Sequence, residues 1–137
     1  MRYLIDTNIL IRLRTNPSLI SKEILQILES YENRIYVGAA SIWEIYILLQ
    51  TEKLHIKSWK YATDIFDFIE EHGMIINYVK KEHLLTFAGL APVKEHHDPF
   101  DRMIIAQAIT EKIPLISSDN RFTAYRRQKL DFIFNAK

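Results

Sequence analysis

Apolar residues along this chain fall into two rhythms. Short continuous runs recur at 2–5, 34–37, 74–77, 113–117 and 131–134, and each reads as a brief buried strand. Between them, apolar positions return every three or four residues. Thr7-Asn8 open a helix that reaches about Arg14, since Thr and Asn favour helix starts. Asn16-Pro17-Ser18 is a turn, followed by Ile20, Ile24, Leu25, Ile27 and Leu28 at helical spacing. Gly38 stops the second strand, and Ser41 caps a helix to about Glu52. Ser58 caps another, with Tyr61, Ile65, Phe66, Phe68 and Ile69 on its inner side and His72-Gly73 at its end. Residues 80–91 are helical until Pro92. The best-marked helix is 98–112, with Asp98 at the N-cap and Pro99 in the first turn. A short helix is expected over 121–129.

Strands alternating with helices imply an α/β fold with a central parallel sheet of about four or five strands, covered on both faces. Sites in such sheets form beyond the carboxyl ends of the strands. Asp6 ends the first strand, and Asp119 follows the fourth in Ser117-Ser118-Asp119-Asn120. No repeat, low-complexity tract or linker interrupts the 137 residues, so a single domain over 1–137 is expected.

Composition narrows the function classes. With 48% apolar and 26% charged residues the chain is an ordinary soluble globule. A net charge of +1 exerts no global pull on polyanions, so a nucleic-acid site must come from a local patch. The absence of cysteine rules out disulfides, thiolate zinc sites and cysteine nucleophiles. Asp6 and Arg12 interrupt the first apolar stretch, which therefore does not read as a signal peptide. No charge-free apolar run reaches the roughly 18 residues of a membrane helix, so the cytoplasm is the expected location.

Four carboxylates stand in apolar surroundings: Asp6, Glu44, Asp101 and Asp119. Pressing a carboxylate against a core costs several kcal/mol unless it is paired or holds a cation. Glu44 is the only charged residue between Val37 and Leu49, with apolar neighbours on every helical face. Asp101 shares helical spacing with Ile104, Ile105 and Ala108. Asp6, Asp98 and Asp119 each also have a capping explanation. A shared hard divalent cation accounts for the four together, and all-oxygen ligands favour Mg²⁺ or Mn²⁺ over zinc. The chemistry expected of such a site is metal-activated attack of water on phosphorus.

His96-His97 beside Asp98 invite a zinc site, but His55, His72 and His83 have no helpful spacing, and a polar loop entering the helix is the better reading. The tail from Asp119 to Lys137 carries five basic and two acidic residues. Arg121, Arg126, Arg127 and Lys129, interleaved with Phe122 and Tyr125, could track a nucleic-acid backbone and stack bases, or form a solvated helix face. Lys53, Lys57, Trp59 and Lys60 make a weaker patch of the same kind.

The chain resembles PIN domains, and most of all the small single-domain ribonucleases of the VapC toxin type. The resemblance covers nearly all of it. It rests on Asp6-Thr7-Asn8 after a strand, on Glu44 in an apolar helix, on Ser117-Ser118-Asp119, and most specifically on His97-Asp98-Pro99-Phe100-Asp101-Arg102-Met103-Ile104-Ile105-Ala106-Gln107-Ala108. It implies a three-layer α/β/α fold and a Mg²⁺- or Mn²⁺-dependent endoribonuclease acting on single-stranded or looped RNA. The family's metal-site acids fall on Asp6, Glu44, Asp101 and Asp119, with Asp98 matching an extra acid of one branch. Thr7, Asn8 and Ser117 are the supporting polar positions, and Ser117 keeps the hydroxyl of the commoner threonine. A small antitoxin partner, a homodimer and a phosphate or antitoxin contact at Arg102 are further implications. Two other readings use the same residues: a non-catalytic interaction module whose acids are caps or ion pairs, and a metal-dependent phosphohydrolase or DNA nuclease.

Overall fold

The computed structural model describes residues 1–137. Five strands form one sheet: β1 (Arg2–Ile5), β2 (Arg34–Gly38), β3 (Ile75–Asn77), β4 (Leu115–Ser117) and β5 (Phe132–Phe134). Their order is β3-β2-β1-β4-β5, and every pairing is parallel. Six α-helices connect and cover them: α1 (Thr7–Thr15), α2 (Lys22–Glu29), α3 (Ala39–Gln50), α4 (Asp64–Glu71), α5 (Lys81–Gly89) and α6 (Pro99–Glu111). None is long and apolar enough to cross a membrane.

The two faces of the sheet bury different helices. Neighbouring residues of a strand point to opposite faces, so Leu4 and Ile5, both fully buried, serve two separate cores. Ile5, Val37 and Ile116 pack with Ile9, Leu10, Ile24, Ile45, Ile65 and Ile69 from α1, α2, α3 and α4. Leu4, Leu115 and Phe132 pack with Ile104, Ile105 and Ala108 of α6. The result is the three-layer α/β/α arrangement. Between β1 and β4 the strand order reverses direction, which leaves a crevice at their carboxyl ends.

Several helix starts differ from the sequence expectation. Ser41 does not cap α3; the helix begins two residues earlier, after Gly38, and Ser41 is fully buried. A Cβ at Gly38 would lie 2.7 Å from Gln107 Oε1, so glycine permits this close approach of α6. Nor does Ser58 cap a helix: α4 starts only at Asp64, and Ser58 accepts a hydrogen bond from Arg14 Nε. Tyr61 and Phe66 face solvent, while Ile65 and Ile69 alone bury fully on that helix. The short helix expected over 121–129 is present, as a 3₁₀ helix over Asn120–Gln128.

Candidate active site

The first acid comes from the end of β1. Asp6 is the N-cap of α1, and its Oδ1 accepts from the Ile9 amide at 2.9 Å. Its Oδ2 accepts from the Ser117 hydroxyl. Burial raises this carboxyl to about 6 against the pull of those two hydrogen bonds, with Asp119 and Glu44 adding repulsion. Thr7, the next residue, donates its hydroxyl to Glu44 Oε1 at 2.6 Å, and Ser41 Oγ lies 3.0 Å from the same hydroxyl. Asn8 is exposed and makes no hydrogen bond to the acids.

Glu44 is half-buried rather than enclosed, and its neighbour Trp43 is exposed, edge-to-face with Phe100. Burial still raises its carboxyl, opposed by the Thr7 hydrogen bond and aided by the charge of Asp98.

Asp98 and Asp101 come from the start of α6. Asp98 is exposed and caps the helix, with Oδ1 accepting from the Phe100 and Asp101 amides at 2.9 and 3.1 Å. Asp101, one turn in, shows the largest perturbation. Burial, then repulsion from Asp98, Glu44, Asp6 and Asp119, lifts it to about 8. A carboxyl in that state holds its proton at neutral pH unless a cation compensates it.

The fourth acid follows β4. Ser117 is fully buried, and besides donating to Asp6 its hydroxyl accepts from the Asp119 amide at 2.9 Å, so one oxygen ties both strand ends together. Asp119 differs from the other three. Burial works to raise it, but Arg121 outweighs burial and holds it below the ordinary range. The guanidinium grips both carboxylate oxygens, with Nε–Oδ1 at 3.0 Å and Nη2–Oδ2 at 2.7 Å. The loop is braced from behind by Asn135, whose Nδ2 donates to Ser118 Oγ and Leu19 O, and by Arg12, which also donates to Ser118 Oγ.

The acids thus meet at one crevice, drawn from β1, α3, α6 and β4. Their donor set is carboxylate oxygen, and the only cation gripping any of them is the Arg121 side chain. Mutual repulsion among partly buried carboxylates fits a site built for a hard divalent ion.

The basic tail behaves differently from a base-stacking surface. Phe122 and Tyr125 are fully buried, so neither ring interleaved with these basic residues is available to a base. Trp59 of the weaker lysine patch is likewise buried. Arg126 donates to Phe132 O, and Arg102 donates to Tyr125 and to Leu90 O inside the fold. Arg121, Arg127 and Lys129 are exposed.

His96 departs from its expected place. Far from lying in a polar loop, it is 1% exposed, with Nε2 at 3.2 Å from Asp101 Oδ2 and Nδ1 at 2.6 Å from the Tyr125 hydroxyl. Its spacing from Asp101, five residues across a helix start, carries no periodic signal that would have revealed the contact.

A search of curated proteins finds no matching relative. Among solved structures, the chain is similar to VapBC2 from Rickettsia felis bound to a DNA fragment from their promoter, at 17% identity and TM-score 0.70, covering 98% of each chain. It is similar to VapBC-1 from nontypeable Haemophilus influenzae at 17% identity and TM-score 0.68, covering 100% of each. A toxin–antitoxin complex from Klebsiella pneumoniae matches at 17% identity and TM-score 0.65, covering 97% of each. At this identity the likeness speaks for the fold. The family model described as PIN domain matches residues 3–128, which include all the acids of the crevice, and the chain belongs to the PIN domain family.

Proposed function

We propose that this protein is a Mg²⁺- or Mn²⁺-dependent endoribonuclease and the toxin member of a toxin–antitoxin pair. The reading is carried by the convergence of Asp6, Glu44, Asp101 and Asp119, three of which are pushed above the ordinary carboxylate range. Those four would hold the ion, with Asp98 close enough to add charge. Thr7 orients Glu44 and Ser117 orients Asp6, so the ligands are preset by hydroxyl groups rather than by competing charges. When bound, the cation supplies an activated water and stabilises the charge that develops on a phosphodiester undergoing hydrolysis. Arg121 now neutralises Asp119, a role that a bound cation would share. Released from the carboxylate, it joins Arg127 and Lys129 as a contact for backbone phosphates.

A small antitoxin partner is supported by the similar VapBC assemblies, and a homodimer by the apolar groove beside the site. That groove, about 500 Å³, is lined by Ala40, Trp43, Val79, Leu84, Phe87 and Met103 among others. A cytoplasmic location accompanies this reading.

The test is turnover of RNA, DNA of the same sequence and a small phosphate ester, each with Mg²⁺, Mn²⁺ or EDTA. RNA alone is cleaved, only with the cation, and Asp101→Asn is inactive while folded. Preferential cleavage of DNA or the ester would move the protein to the phosphohydrolase or DNA-nuclease reading. Undiminished cleavage by Asp101→Asn would remove the site. A non-catalytic module draws support from the capping roles of Asp6, Asp98 and Asp119. It requires that calorimetric titration with Mn²⁺ give no binding heat.

A further inference from the structure

The four acids do not explain why an arginine, a tyrosine and a histidine lie in a row behind Asp101. Arg102 Nη1 is 2.9 Å from the Tyr125 hydroxyl, that hydroxyl is 2.6 Å from His96 Nδ1, and His96 Nε2 is 3.2 Å from Asp101 Oδ2. Tyr125 is fully buried and His96 nearly so. The imidazole stands edge-to-face against Phe122 and Tyr125, with centroids at 5.4 and 5.3 Å, which holds the ring plane.

Counting protons settles the direction of each bond. A guanidinium only donates, so the tyrosine oxygen accepts from Arg102. The single tyrosine proton has one acceptor in reach, His96 Nδ1. Nδ1 therefore carries no proton, and a neutral imidazole then carries it on Nε2, facing Asp101. The opposite tautomer would aim two donors at the tyrosine oxygen and leave the tyrosine proton unpaired in the core. A doubly protonated ring has the same defect.

We propose that Arg102, Tyr125 and His96 form a hydrogen-bond relay that locks His96 in the Nε2–H tautomer, making it a donor that positions Asp101 and not a ligand of the metal ion. The proposal rests on the metal-site reading above and assigns the residue that proximity alone would misplace. One ligand-capable atom from each of His96, Asp101 and Asp119 lies within 4.8 Å of the others, as in a nitrogen–oxygen metal site. With its Nε2 lone pair replaced by a proton, His96 leaves the donor set all oxygen, which selects Mg²⁺ or Mn²⁺ against zinc. The remaining lone pairs of Asp101 stay available to the cation, and a fixed carboxylate orientation favours its capture.

Long-range ¹⁵N–¹H spectra of the imidazole decide the tautomer in the full-length protein. The Nε2–H form is expected both without metal and in saturating Mg²⁺. A proton on Nδ1 in the metal-free protein, or loss of the Nε2 proton on adding Mg²⁺, overturns the proposal. Tyr125→Phe keeps the ring but removes the relayed proton, and is expected to give a mixture of tautomers; a single unchanged tautomer would show that the relay does not set it. Calorimetry with Mn²⁺ reads the positioning. His96→Leu is expected to weaken binding roughly tenfold, while His96→Gln, which keeps an N–H donor, recovers most of that loss. Equal Mn²⁺ affinity in folded His96→Leu and wild type would overturn the positioning role. A wild-type protein that binds no Mn²⁺ would instead overturn the metal-site reading, and the metal-free spectrum would still decide the tautomer.

Discussion

At the end of β1, Asp6 caps α1 through the Ile9 amide; at the end of β4, Asp119 caps the 3₁₀ helix through the Arg121 amide. Both residues meet the Ser117 hydroxyl, Asp6 through its carboxylate and Asp119 through its backbone amide, yet the protonation of the two carboxyls is pushed in opposite directions. Asp6 is 2% exposed and meets only neutral donors, so burial prevails. Asp119 is less enclosed and faces a bidentate guanidinium, so the ion pair prevails. Capping is therefore not a substitute for charge compensation: a cap fixes where a carboxylate points, while the neighbouring charge decides whether it stays ionised.

The largest effect expected from breaking this contrast is on turnover. Asp6→Asn and Asp119→Asn each remove one ligand charge, and RNA cleavage at saturating Mn²⁺ is expected to fall by roughly a hundredfold or more in both. If only one of the pair loses activity, the two strand ends do not serve one ion.

Stability against pH separates them next. Asp101 and Asp6 titrate near 8 and 6 in the fold, against about 4 in the unfolded chain. Between those values the folded protein holds protons that the unfolded chain has released, so this contribution is complete below about pH 4 and is lost as pH rises through 8. In EDTA, Tm is expected to drop by about 5 °C or more from about pH 5.5 to about pH 8.5. Asp101→Asn flattens that slope and Asp119→Asn does not, because Asp119 is already ionised by its partner. Saturating Mn²⁺ abolishes the decline, since metal binding takes over the role of the protons. A Tm that climbs with pH in EDTA would contradict the whole electrostatic picture.

A smaller change is expected from removing the guanidinium. Arg121→Gln frees Asp119 for a cation, and calorimetry is expected to show Mn²⁺ binding tightened about threefold, the scale of an exposed ion pair. Arg127→Gln loses the same charge without touching Asp119 and serves as the control; equal tightening in both would reduce the Arg121 effect to net charge. The weakest effect is on RNA affinity, where Arg127→Gln and Lys129→Gln each cost about twofold and lessen its salt dependence. Binding measured across a salt series checks this.

Much of the frame was legible along the chain. The strands were visible because a sheet covered on both faces demands unbroken apolar runs, and the observed strands fall within the expected stretches except for Gly38, which the second includes. Asp98-Pro99 marked the start of α6 because N-cap and N1 preferences are local. Ser58 misled because the segment after it is held by tertiary contacts: Trp59 is buried, and Tyr46 donates its hydroxyl to Ala62 O. Phe122 and Tyr125 misled for a related reason, since an aromatic residue in a basic stretch reads the same whether its ring faces water or the core.

Periodicity, capping chemistry and the turn residues depend on neighbours a few positions apart, so the amino-acid order alone settled the parallel sheet and set acids at its strand ends. The compensation of those acids depends on partners far along the chain. Thr7 meets Glu44 across 37 positions, Ser117 meets Asp6 across 111, and Tyr125 reaches His96 across 29. Hydrogen bonds and charges act over a few ångströms of space whatever the length of chain between them. Which carboxylate is buried without a countercharge, which is paired, and which way the His96 proton points were therefore decided only when the layers closed around the crevice.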